Sequence, residues 1–381
     1  MNGRRVRALF RRVVQEIRRD RPSIGLLFIA PLVITGLLAF ILREGQAPAV
    51  DVVIVNAAGV PGSAFASALT AALEATDATV STTTDGAAAH ASVADGSASV
   101  AILLPADLAT STDPVITLLT NGLDPGAEAG QIRVVQGAFV EVARVTAARP
   151  VPTVEHATVY GSPSDDPLSA YAPALVAFFA YFFVYLLTGV SFLRERTGGT
   201  LERLMATPVT RGEIVTGYTL GFGLFATLQV ALLICWVIGS VAVPAIGPLP
   251  GFSVGLGVGV AGSPILAFLV VVVLALGAVS LGIFLSTFAR TELQVIQFIP
   301  IVLVPQFLLS GVLFPISSLP AVIQPVTVIM PLTYAVDGLR QVFIRGATLG
   351  IPELRFDLLV LALFAVGFAT VASLTIRREV A

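Results

Sequence analysis

Lysine is absent from this sequence of 381 residues, and all 22 basic residues are Arg. Without an ammonium side chain the chain has no P-loop lysine for ATP, no Schiff-base lysine and no Ser-Lys dyad. The sequence therefore excludes hydrolysis of ATP by the usual P-loop route. One Cys, Cys235, and two His, His90 and His156, are too few for a disulfide framework or a Cys/His metal cluster.

Charge is also scarce. Only 12% of the residues are charged and 56% are hydrophobic, with a mean hydropathy of +0.91. A soluble domain carries about twice that charge, so a water-soluble globule is excluded. The net charge of −2 conceals a division, because residues 44–167 hold 14 acids against three Arg, while the other 257 residues carry a net +9. This division indicates one acidic, aqueous part and one apolar part with basic flanks.

Residues 1–22 predict a basic amphipathic helix on the cytoplasmic side of a membrane. Eight Arg lie between Met1 and Arg21, and at 100° per residue the apolar residues fall on the opposite face. These residues are Val6, Leu9, Phe10, Val13, Val14 and Ile17. We expect this helix both to orient the next segment as a solvated flank and to lie in the interface against anionic lipid headgroups, because the apolar stripe is too regular for a tail.

Residues 23–42 predict the first transmembrane helix. Ser23–Leu42 is a run of 20 uncharged residues, which as a helix is about 30 Å long and matches the hydrocarbon thickness. The preceding Arg residues place its start in the cytoplasm. A cleaved signal peptide is the alternative, because Ala47-Pro48-Ala49 resembles a cleavage site. The apolar run is longer than the usual core of about 7–15 residues, so we expect a retained anchor.

Residues 43–167 predict an extracytoplasmic α/β domain, because apolar runs of period two alternate with Ala-rich helical stretches. The predicted strands are Val52–Val55, Val100–Leu104 and Val115–Leu119, and the predicted helices are Ser63–Ala75 and Gly126–Ala148. Asn121-Gly122 indicates a turn, and the Pro-rich stretch Pro150–Pro167 is interpreted as the return to the membrane.

Residues 168–381 predict a domain of five further spans. They are Leu168–Phe192, Ile214–Val243, Ser263–Ala289, Leu293–Leu313 and Leu358–Ile376. Four Arg in the loop after the first of these spans (Arg194, Arg196, Arg203 and Arg211) support a cytoplasmic position for that loop, and Arg290 follows the third.

The stretch from Leu293 to Val336 carries no charge over 44 residues, about 66 Å as a helix, which is too long for one crossing. A second full crossing would leave Arg377 and Arg378 outside, so we expect one crossing and then outer re-entrant helices over residues 314–346. The predicted fold class is a membrane all-α bundle of six transmembrane helices with an inserted extracytoplasmic α/β domain and both termini in the cytoplasm.

The predicted spans contain no ionisable side chain apart from Cys235 and tyrosines. Transport coupled to ions or protons normally needs such a group within the membrane, so we expect the energy to come from elsewhere. Cys235 is interpreted as a small apolar packing residue. The sequence Gly257-Val-Gly259-Val-Ala-Gly262 matches the dinucleotide fingerprint, but the next acid, Glu292, lies 30 residues beyond it. We expect close helix packing through Gly251-xxx-Gly255 and Gly255-xxx-Gly259 instead.

The segment over residues 194–210, RERTGGTLERLMATPVT, predicts a short helix that follows a span. Gly198-Gly199 would end the span, Thr200 would cap the short helix and Pro208 would close it. Leu201, Leu204 and Met205 give it one apolar side. The segment is either an interfacial connector or a docking element for a cytoplasmic partner.

The run FLRERTGGTLERLMATPVTRGEIVTGY over residues 192–218 resembles the signature of ABC transporter permeases of the type-2 export class. The run over residues 281–346, from LGIFLSTFAR to QVFIRG, resembles the same family's fourth and fifth spans and outer re-entrant helices. The order of elements also agrees: one span, a large external domain and then five spans.

This resemblance implies a non-catalytic permease subunit of an exporter in a bacterial plasma membrane. Two permeases, identical or different, would pair, and each would bind a cytoplasmic ABC ATPase subunit that holds the ATP, so that this chain itself takes no cofactor and no metal. Membrane lipids, and no nucleic acid, would be the other partners. The implied substrate is a drug-like, lipid-like or other amphiphile. The aromatic residues that would suit this substrate are Phe178, Phe179, Tyr181, Phe182 and Tyr185. Such residues more often pack inside a protein or face lipid, which is the alternative.

By motif position the resemblance also implies two functional regions. The ATPase-coupling region would comprise Glu195, Arg196, Gly199, Thr200, Leu201, Glu202 and Pro208. The outer re-entrant region would comprise Pro331, Leu332, Thr333, Tyr334, Asp337 and Arg340. Asp337 and Arg340 are three residues apart, so a simple surface pair is the alternative. For the whole chain the alternative is a non-transporting envelope receptor or scaffold protein anchored by the spans. A membrane enzyme is a third and weaker interpretation.

Overall fold

The computed structural model describes residues 1–44, 50–57, 59–76, 78–106, 108, 114–120, 125–145, 153–158, 167–243, 252–289, 291–313, 316 and 319–376. These residues form two compact units. Unit 1 comprises Met1–Ala39 and Tyr171–Ala381, and unit 2 comprises Phe40–Ala170. Asn121-Gly122, Ala47-Pro48-Ala49, Arg290, Arg377 and Arg378 lie outside the described residues.

Unit 2 is built on a five-stranded sheet in the order β2-β1-β3-β4-β5. Its strands are β1 (Asp51–Asn56), β2 (Thr79–Thr83), β3 (Val100–Leu104), β4 (Val115–Thr120) and β5 (Thr153–Thr158). Every neighbouring pair is parallel except β3 and β4, which run antiparallel with Val100 opposite Thr120. The three predicted strands are present. β2 and β5 were not predicted, because β2 is rich in Thr and β5 lies within the Pro-rich stretch.

Helices cover both faces of this sheet. α3 (Val60–Glu74) and α5 (Pro125–Val145) pack on one face, where Val52 and Ile54 meet Leu69 and Val135. α4 (Gly86–Ala94) packs on the other face, where Val55 and Ala101 meet Val93. Alternate residues of β1 therefore serve opposite cores, as the two-residue period of a strand requires. α4 was not predicted from the sequence; it begins where the Asp85 side chain accepts from the Ala87 and Ala88 N–H groups.

Unit 1 is helical. Its helices, two of which extend a few residues beyond its limits, are α1 (Gly3–Arg19), α2 (Arg21–Glu44), α6 (Pro167–Thr197), α7 (Thr200–Met205), α8 (Arg211–Ile238), α9 (Pro264–Ser286), α10 (Glu292–Leu309), α11 (Gln324–Thr327), α12 (Pro331–Phe343) and α13 (Pro352–Thr375). Among the described residues, α2, α6, α8, α9 and α13 are long and apolar enough to cross a membrane. The chain therefore has five candidate spans.

The sixth predicted span, over Leu293–Leu313, is not confirmed. Its helix α10 ends at Leu309, and Gly311 follows with a φ of 80°. The apolar part, Leu293–Leu309, rises about 26 Å at 1.5 Å per residue, which is short of a hydrocarbon core of about 30 Å. α10 also contains Pro300 and Pro305.

Two predicted helix boundaries were wrong in ways that matter for function. α8 begins at Arg211 rather than Ile214, because Thr210 and Glu213 form a reciprocal capping box. α13 begins at Pro352 rather than Leu358, with Pro352 at its first position. The earlier start of α13 brings Asp357 into a candidate span, so the expectation that the spans lack ionisable side chains was wrong.

The Gly-rich link between α8 and α9 is not helical where the structure describes it. After α8 ends at Ile238, β6 (Val241–Val243) pairs antiparallel with β7 (Phe252–Val254). Gly255 and Gly257 then take φ values of 100° and 64°, which right-handed helices do not use. The expected helix packing through Gly255-xxx-Gly259 was therefore wrong, while Gly251 of the Gly251-xxx-Gly255 pattern lies outside the described residues.

Candidate functional site

The short helix α7 presents one buried and one exposed side. α6 ends at Thr197, and Gly198-Gly199 turn the chain, as predicted. Gly199 has a φ of 70°, which is the left-handed region, and it is the N-cap of α7. The prediction that Thr200 caps this helix was wrong, because Thr200 is already its first residue and the cap makes no side-chain hydrogen bond. Leu201 and Met205 are buried, whereas Glu202, Arg203 and Pro208 are exposed.

Glu195 lies in the last turn of α6, shortly before α7 in the sequence, and is buried, with 4% of its surface exposed. Arg12 of α1 donates from Nη2 to both of its carboxylate oxygens, at 2.7 Å and 2.6 Å. The Arg12 Nη1 group also donates to the Tyr218 hydroxyl of α8, at 3.4 Å. A buried carboxylate is tolerated when its charge is paired and its lone pairs are hydrogen-bonded, and Arg12 supplies both. Sequence reasoning did not identify Arg12 or Tyr218.

α1 reaches this carboxylate because its apolar stripe packs on α8. The buried residues of the stripe are Val6, Leu9, Val13 and Ile17. A Cβ built on Gly217 would lie 2.6 Å from the Cβ of Leu9, and one built on Gly221 would lie 2.6 Å from Cγ1 of Val13. Two glycines four residues apart therefore let α1 approach the α8 backbone. The predicted amphipathic helix is present, but the buried part of its apolar stripe faces α8.

Polar contacts hold both ends of α1. At its start the Asn2 N–H donates to Glu213 Oε1 at 2.6 Å, and the Arg5 guanidinium donates to the carbonyl of Pro208. At its end Asp20 Oδ2 lies 3.6 Å from Arg194 Nη1. The connection between α7 and α8 is therefore tied to the start of α1, and the last turn of α6 is tied to the end of α1.

A second carboxyl group of α1 borders the Arg12 and Glu195 pair. Glu16 Oε2 lies 3.8 Å from Arg12 Nη2. Burial, followed by a hydrogen bond with Glu195 and the negative charge of Glu195, raises the pKa of Glu16 to about 8. Glu16 therefore binds a proton more readily than an ordinary Glu side chain, and Glu195 is the carboxylate that accepts both hydrogen bonds from Arg12 Nη2.

Arg196 joins α6 to the end of α9. Its Nη1 group donates to the carbonyls of Ser286, Thr287 and Ala289, at 3.3 Å, 2.7 Å and 2.9 Å. The last carbonyls of a helix have no hydrogen-bond partner within the helix, and the helix dipole gives this end a partial negative charge. A guanidinium at this end donates to the carbonyls and also balances that charge. Behind the exposed side of α7, side chains thus connect α6 to α1 and to α9.

The predicted outer residues lie together on α12, and three of the six attach it to the segment before it. Pro331 and Leu332 are buried at its start. Thr333 Oγ1 donates to the Thr327 carbonyl at 2.8 Å, and Tyr334 donates to the Val328 carbonyl at 2.8 Å.

Asp337 and Arg340 make contacts in different directions. Arg340 Nη2 donates to the Gly311 carbonyl at 2.7 Å, while Asp337 Oδ2 accepts from Gln341 Nε2 at 2.9 Å.

Four of these residues line a cavity of about 810 Å³, namely Thr333, Tyr334, Asp337 and Arg340. Sequence reasoning missed the rest of its polar lining, which includes Gln341, Glu353 and Asp357. Asp357 is 4% exposed and accepts from Gln341 Nε2 at 3.0 Å. The Pro at position 352 was the available signal, because a Pro at the first helical position would have placed Asp357 inside α13.

The aromatic residues that were considered for a substrate surface largely pack inside this chain. Tyr181 and Tyr185 are buried, and the Tyr181 hydroxyl accepts from Gln306 Nε2 of α10 at 2.9 Å. Phe178 lies against Phe307 with ring centroids 4.6 Å apart. Cys235 is exposed on α8, so its interpretation as a packing residue was wrong.

Five candidate spans and a membrane-type helical unit define a multi-pass membrane protein. The family model of the ABC-2 family transporter proteins matches residues 22–374, and the chain therefore belongs to that family.

Curated relatives agree with this assignment. The chain is 33% identical over 199 residues to the inner membrane transport permease YhhJ of Escherichia coli, across 51% of this chain and 48% of the relative. It is 27% identical over 179 residues to the probable multidrug ABC transporter permease YbhR of Escherichia coli, across 47% and 45%. It is 30% identical over 230 residues to the ABC transporter G family member 20 of Dictyostelium discoideum, across 60% and 29%. The chain thus spans about half the length of these bacterial relatives.

Proposed function

We propose that this chain is the permease subunit of an ABC exporter in a bacterial plasma membrane. It moves an amphiphilic substrate outward and takes its power from ATP that a separate cytoplasmic ATPase subunit binds and hydrolyses. Two permease subunits pair in the complex. Membership of the ABC-2 family supports this function, as do the absence of lysine from the chain and the similarity to YbhR, a probable multidrug ABC transporter permease.

The proposed orientation follows from the distribution of Arg. α1, α7 and the last turn of α6 carry most of the Arg in unit 1, so this end of the unit lies in the cytoplasm. Unit 2 belongs to the acidic segment of residues 44–167 and lies on the outer side.

The observation that carries the proposal is the way α7 is supported. A coupling element must receive force from a partner and pass it to the spans. Glu202 and Arg203 are exposed on α7 and available to a partner, while Leu201 and Met205 are buried on its other side. Exposed charges of both signs set the encounter and register of a partner more than its affinity, which suits an interface that must separate in each cycle.

The supporting contacts would carry displacement of α7 into several helices at once. Arg196 joins α6 to the end of α9, and Arg12 joins α6 to α1. The Arg5 contact with the Pro208 carbonyl also ties the connection between α7 and α8 to α1. Helices connected by hydrogen bonds, an ion pair and packed side chains move as units, so a push on α7 would reach α1, α6 and α9 together.

The test reverses the exposed charge on α7. We expect Glu202→Arg to abolish substrate-stimulated ATP hydrolysis by the assembled complex, because the reversed charge opposes docking, while membrane insertion is unchanged. The matched control is Glu74→Arg, which makes the same change at an exposed carboxylate of α3. Normal substrate-stimulated hydrolysis in Glu202→Arg would refute the coupling role of α7. If no ATPase co-purifies with the unaltered chain, the receptor or scaffold alternative is favoured.

A further inference from the structure

A cavity of about 810 Å³ lies where the end of α10, α12 and the start of α13 meet. Its size falls within the range of about 300–1,000 Å³ that is usual for sites of organic ligands. We propose that this cavity binds an organic cation, namely a protonated amine carried on an apolar body.

The polar end of the cavity brings two carboxylates together. Gln341 Nε2 donates one N–H to Asp337 Oδ2 at 2.9 Å and the other to Asp357 Oδ2 at 3.0 Å. Since both oxygens lie this close to one nitrogen, they are less than about 6 Å apart, a distance at which two negative charges repel each other. Asp357 is 4% exposed. A cation placed between the two carboxylates removes this repulsion.

An unfilled hydrogen-bond acceptor lies beside the two carboxylates. Gln341 is 4% exposed, and its Oε1 atom is buried without a hydrogen-bond partner among the described residues. The orientation of the amide is determined by its neighbours, because only the NH₂ group can donate to two carboxylates. A buried acceptor without a donor costs about 1–3 kcal/mol, and an N–H of a ligand would satisfy it. The Gln341 Oε1 acceptor therefore lacks a hydrogen-bond donor.

The rest of the lining suits an apolar body. Tyr334 and Phe356 face the cavity with ring centroids 6.1 Å apart, and Val336 and Ile316 add aliphatic surface. Aromatic faces also attract ammonium groups.

The balance of charge in the lining favours a cation. Three acids, Asp337, Glu353 and Asp357, stand against two Arg, Arg340 and Arg345, and Arg340 already donates to the Gly311 carbonyl.

A bare metal ion fits the cavity less well. The described residues contain no group of three or more His, Cys, Asp or Glu side chains that could hold one. A volume of about 810 Å³ also far exceeds what a single ion with its ligands occupies. The ammonium group has two possible sources, a free amine and the headgroup of an aminolipid. That the bound amine is cargo rests on the proposed export function, whereas binding itself does not.

The experiment uses the intact chain in nanodiscs and a fluorescent amine, monodansylcadaverine, which carries a primary ammonium on a dansyl ring. Its N-acetyl derivative has the same body without the charge and serves as the matched probe. We expect saturable binding of the amine and at least about tenfold weaker binding of the acetylated probe, because charged hydrogen bonds are lost. Asp357→Asn and Asp337→Asn should each weaken binding of the amine about tenfold, whereas Glu74→Gln, at a remote exposed carboxylate, should not.

Several outcomes decide the proposal. Equal binding of the two probes, or unchanged binding in both Asn variants, would overturn it. Thermal unfolding of each variant shows that a loss of binding is not a loss of fold, and Asp337, which is exposed on α12, gives the variant least able to disturb packing.

Nanodiscs of phosphatidylglycerol with and without phosphatidylethanolamine distinguish the two possible sources of the ammonium group, a free amine and an aminolipid headgroup. Weaker probe binding in the presence of phosphatidylethanolamine assigns the site to the lipid amine, and unchanged binding assigns it to a free amine. Because no nucleotide or ATPase subunit is present, failure of ATP-driven export would leave this result standing.

Discussion

Glu195 in α6 and Asp357 in α13 are equally buried, at 4% exposure each, yet their surroundings differ. Glu195 is held by two hydrogen bonds from the Arg12 guanidinium, which carries a full positive charge. Asp357 accepts a hydrogen bond from the neutral Gln341 amide, which also donates to Asp337. One buried carboxylate is thus neutralised inside the chain, and the other lies beside a second carboxylate.

This difference indicates different tasks. A neutralised ion pair at the junction of α1, α6 and α8 holds helices in one arrangement, which is what an element that transmits force requires. A pair of carboxylates served by one amide gains stability when a cation arrives. We therefore predict that removing a charge from the pair of Arg12 and Glu195 lowers the stability of the protein. Removing the charge of Asp357 should not lower the stability of the protein without a bound amine.

The largest effect is expected from Arg12→Met, which keeps an apolar stem at this position and removes the guanidinium charge. Breaking a fully buried ion pair costs about 3–5 kcal/mol, and exposed pairs contribute less than about 1 kcal/mol. Arg12 is partly exposed while Glu195 is buried, so we expect a loss of about 2–3 kcal/mol in the free energy of unfolding, measured in detergent. Arg11→Met, at an exposed position of the same helix, should change stability by less than about 0.5 kcal/mol.

A second substitution checks the cause of that loss. In the double variant Arg12→Met with Glu195→Leu no unpaired charge remains, and most of the lost stability should return. If the double variant is as unstable as Arg12→Met alone, packing of the Arg12 stem rather than its charge holds α1 in place.

A smaller effect of opposite sign is expected from Asp357→Asn. The amide oxygen of Asn can still accept from Gln341, while the repulsion from Asp337 is removed. We expect the protein without added amine to be as stable as the unaltered chain or more stable by about 1 kcal/mol, measured by the same unfolding transition. A destabilisation comparable to that of Arg12→Met would show that Asp357 is a structural partner, and the two carboxylates would then not differ in task.

Local features of these two regions could be predicted from the sequence. The turn after α6 and the short helix α7 follow from Gly198-Gly199 and the spacing of Leu201 and Met205, because helix ends and amphipathic faces depend on neighbouring residues. Three strands of unit 2 follow from their apolar runs for the same reason.

Long-range partners could not be predicted. Arg12 is one of eight Arg in the first 21 residues and lies 183 positions from Glu195; no local pattern selects it. A steric clue existed in Gly217 and Gly221, whose spacing matches a close helix contact, but it does not say which helix approaches. The position of Asp357 depended on one helix boundary, and helix boundaries are the least certain part of a prediction from sequence.

The smallest expected effect concerns Glu16, which borders the Arg12 and Glu195 pair. Its pKa is about 8 in the folded protein and 4.5 in its ordinary state. Between these values the folded protein binds a proton that the unfolded chain does not, so stability falls as pH rises from about 5 to about 8 and levels off above. Glu16 is about half exposed, so solvent screening keeps the effect small.

Glu16→Gln should flatten this slope when the midpoint of thermal unfolding is compared at about pH 6 and about pH 9. Glu202→Gln, at an exposed carboxylate of α7, should keep it. An unchanged slope in Glu16→Gln would mean that the pair of Arg12 and Glu195 does not extend to Glu16. The charged groups at the junction of α1, α6 and α8 would then reduce to the single ion pair of Arg12 and Glu195. The difference from Asp357 would be larger, because Glu195 would interact with no second acid, whereas Asp357 lies beside Asp337.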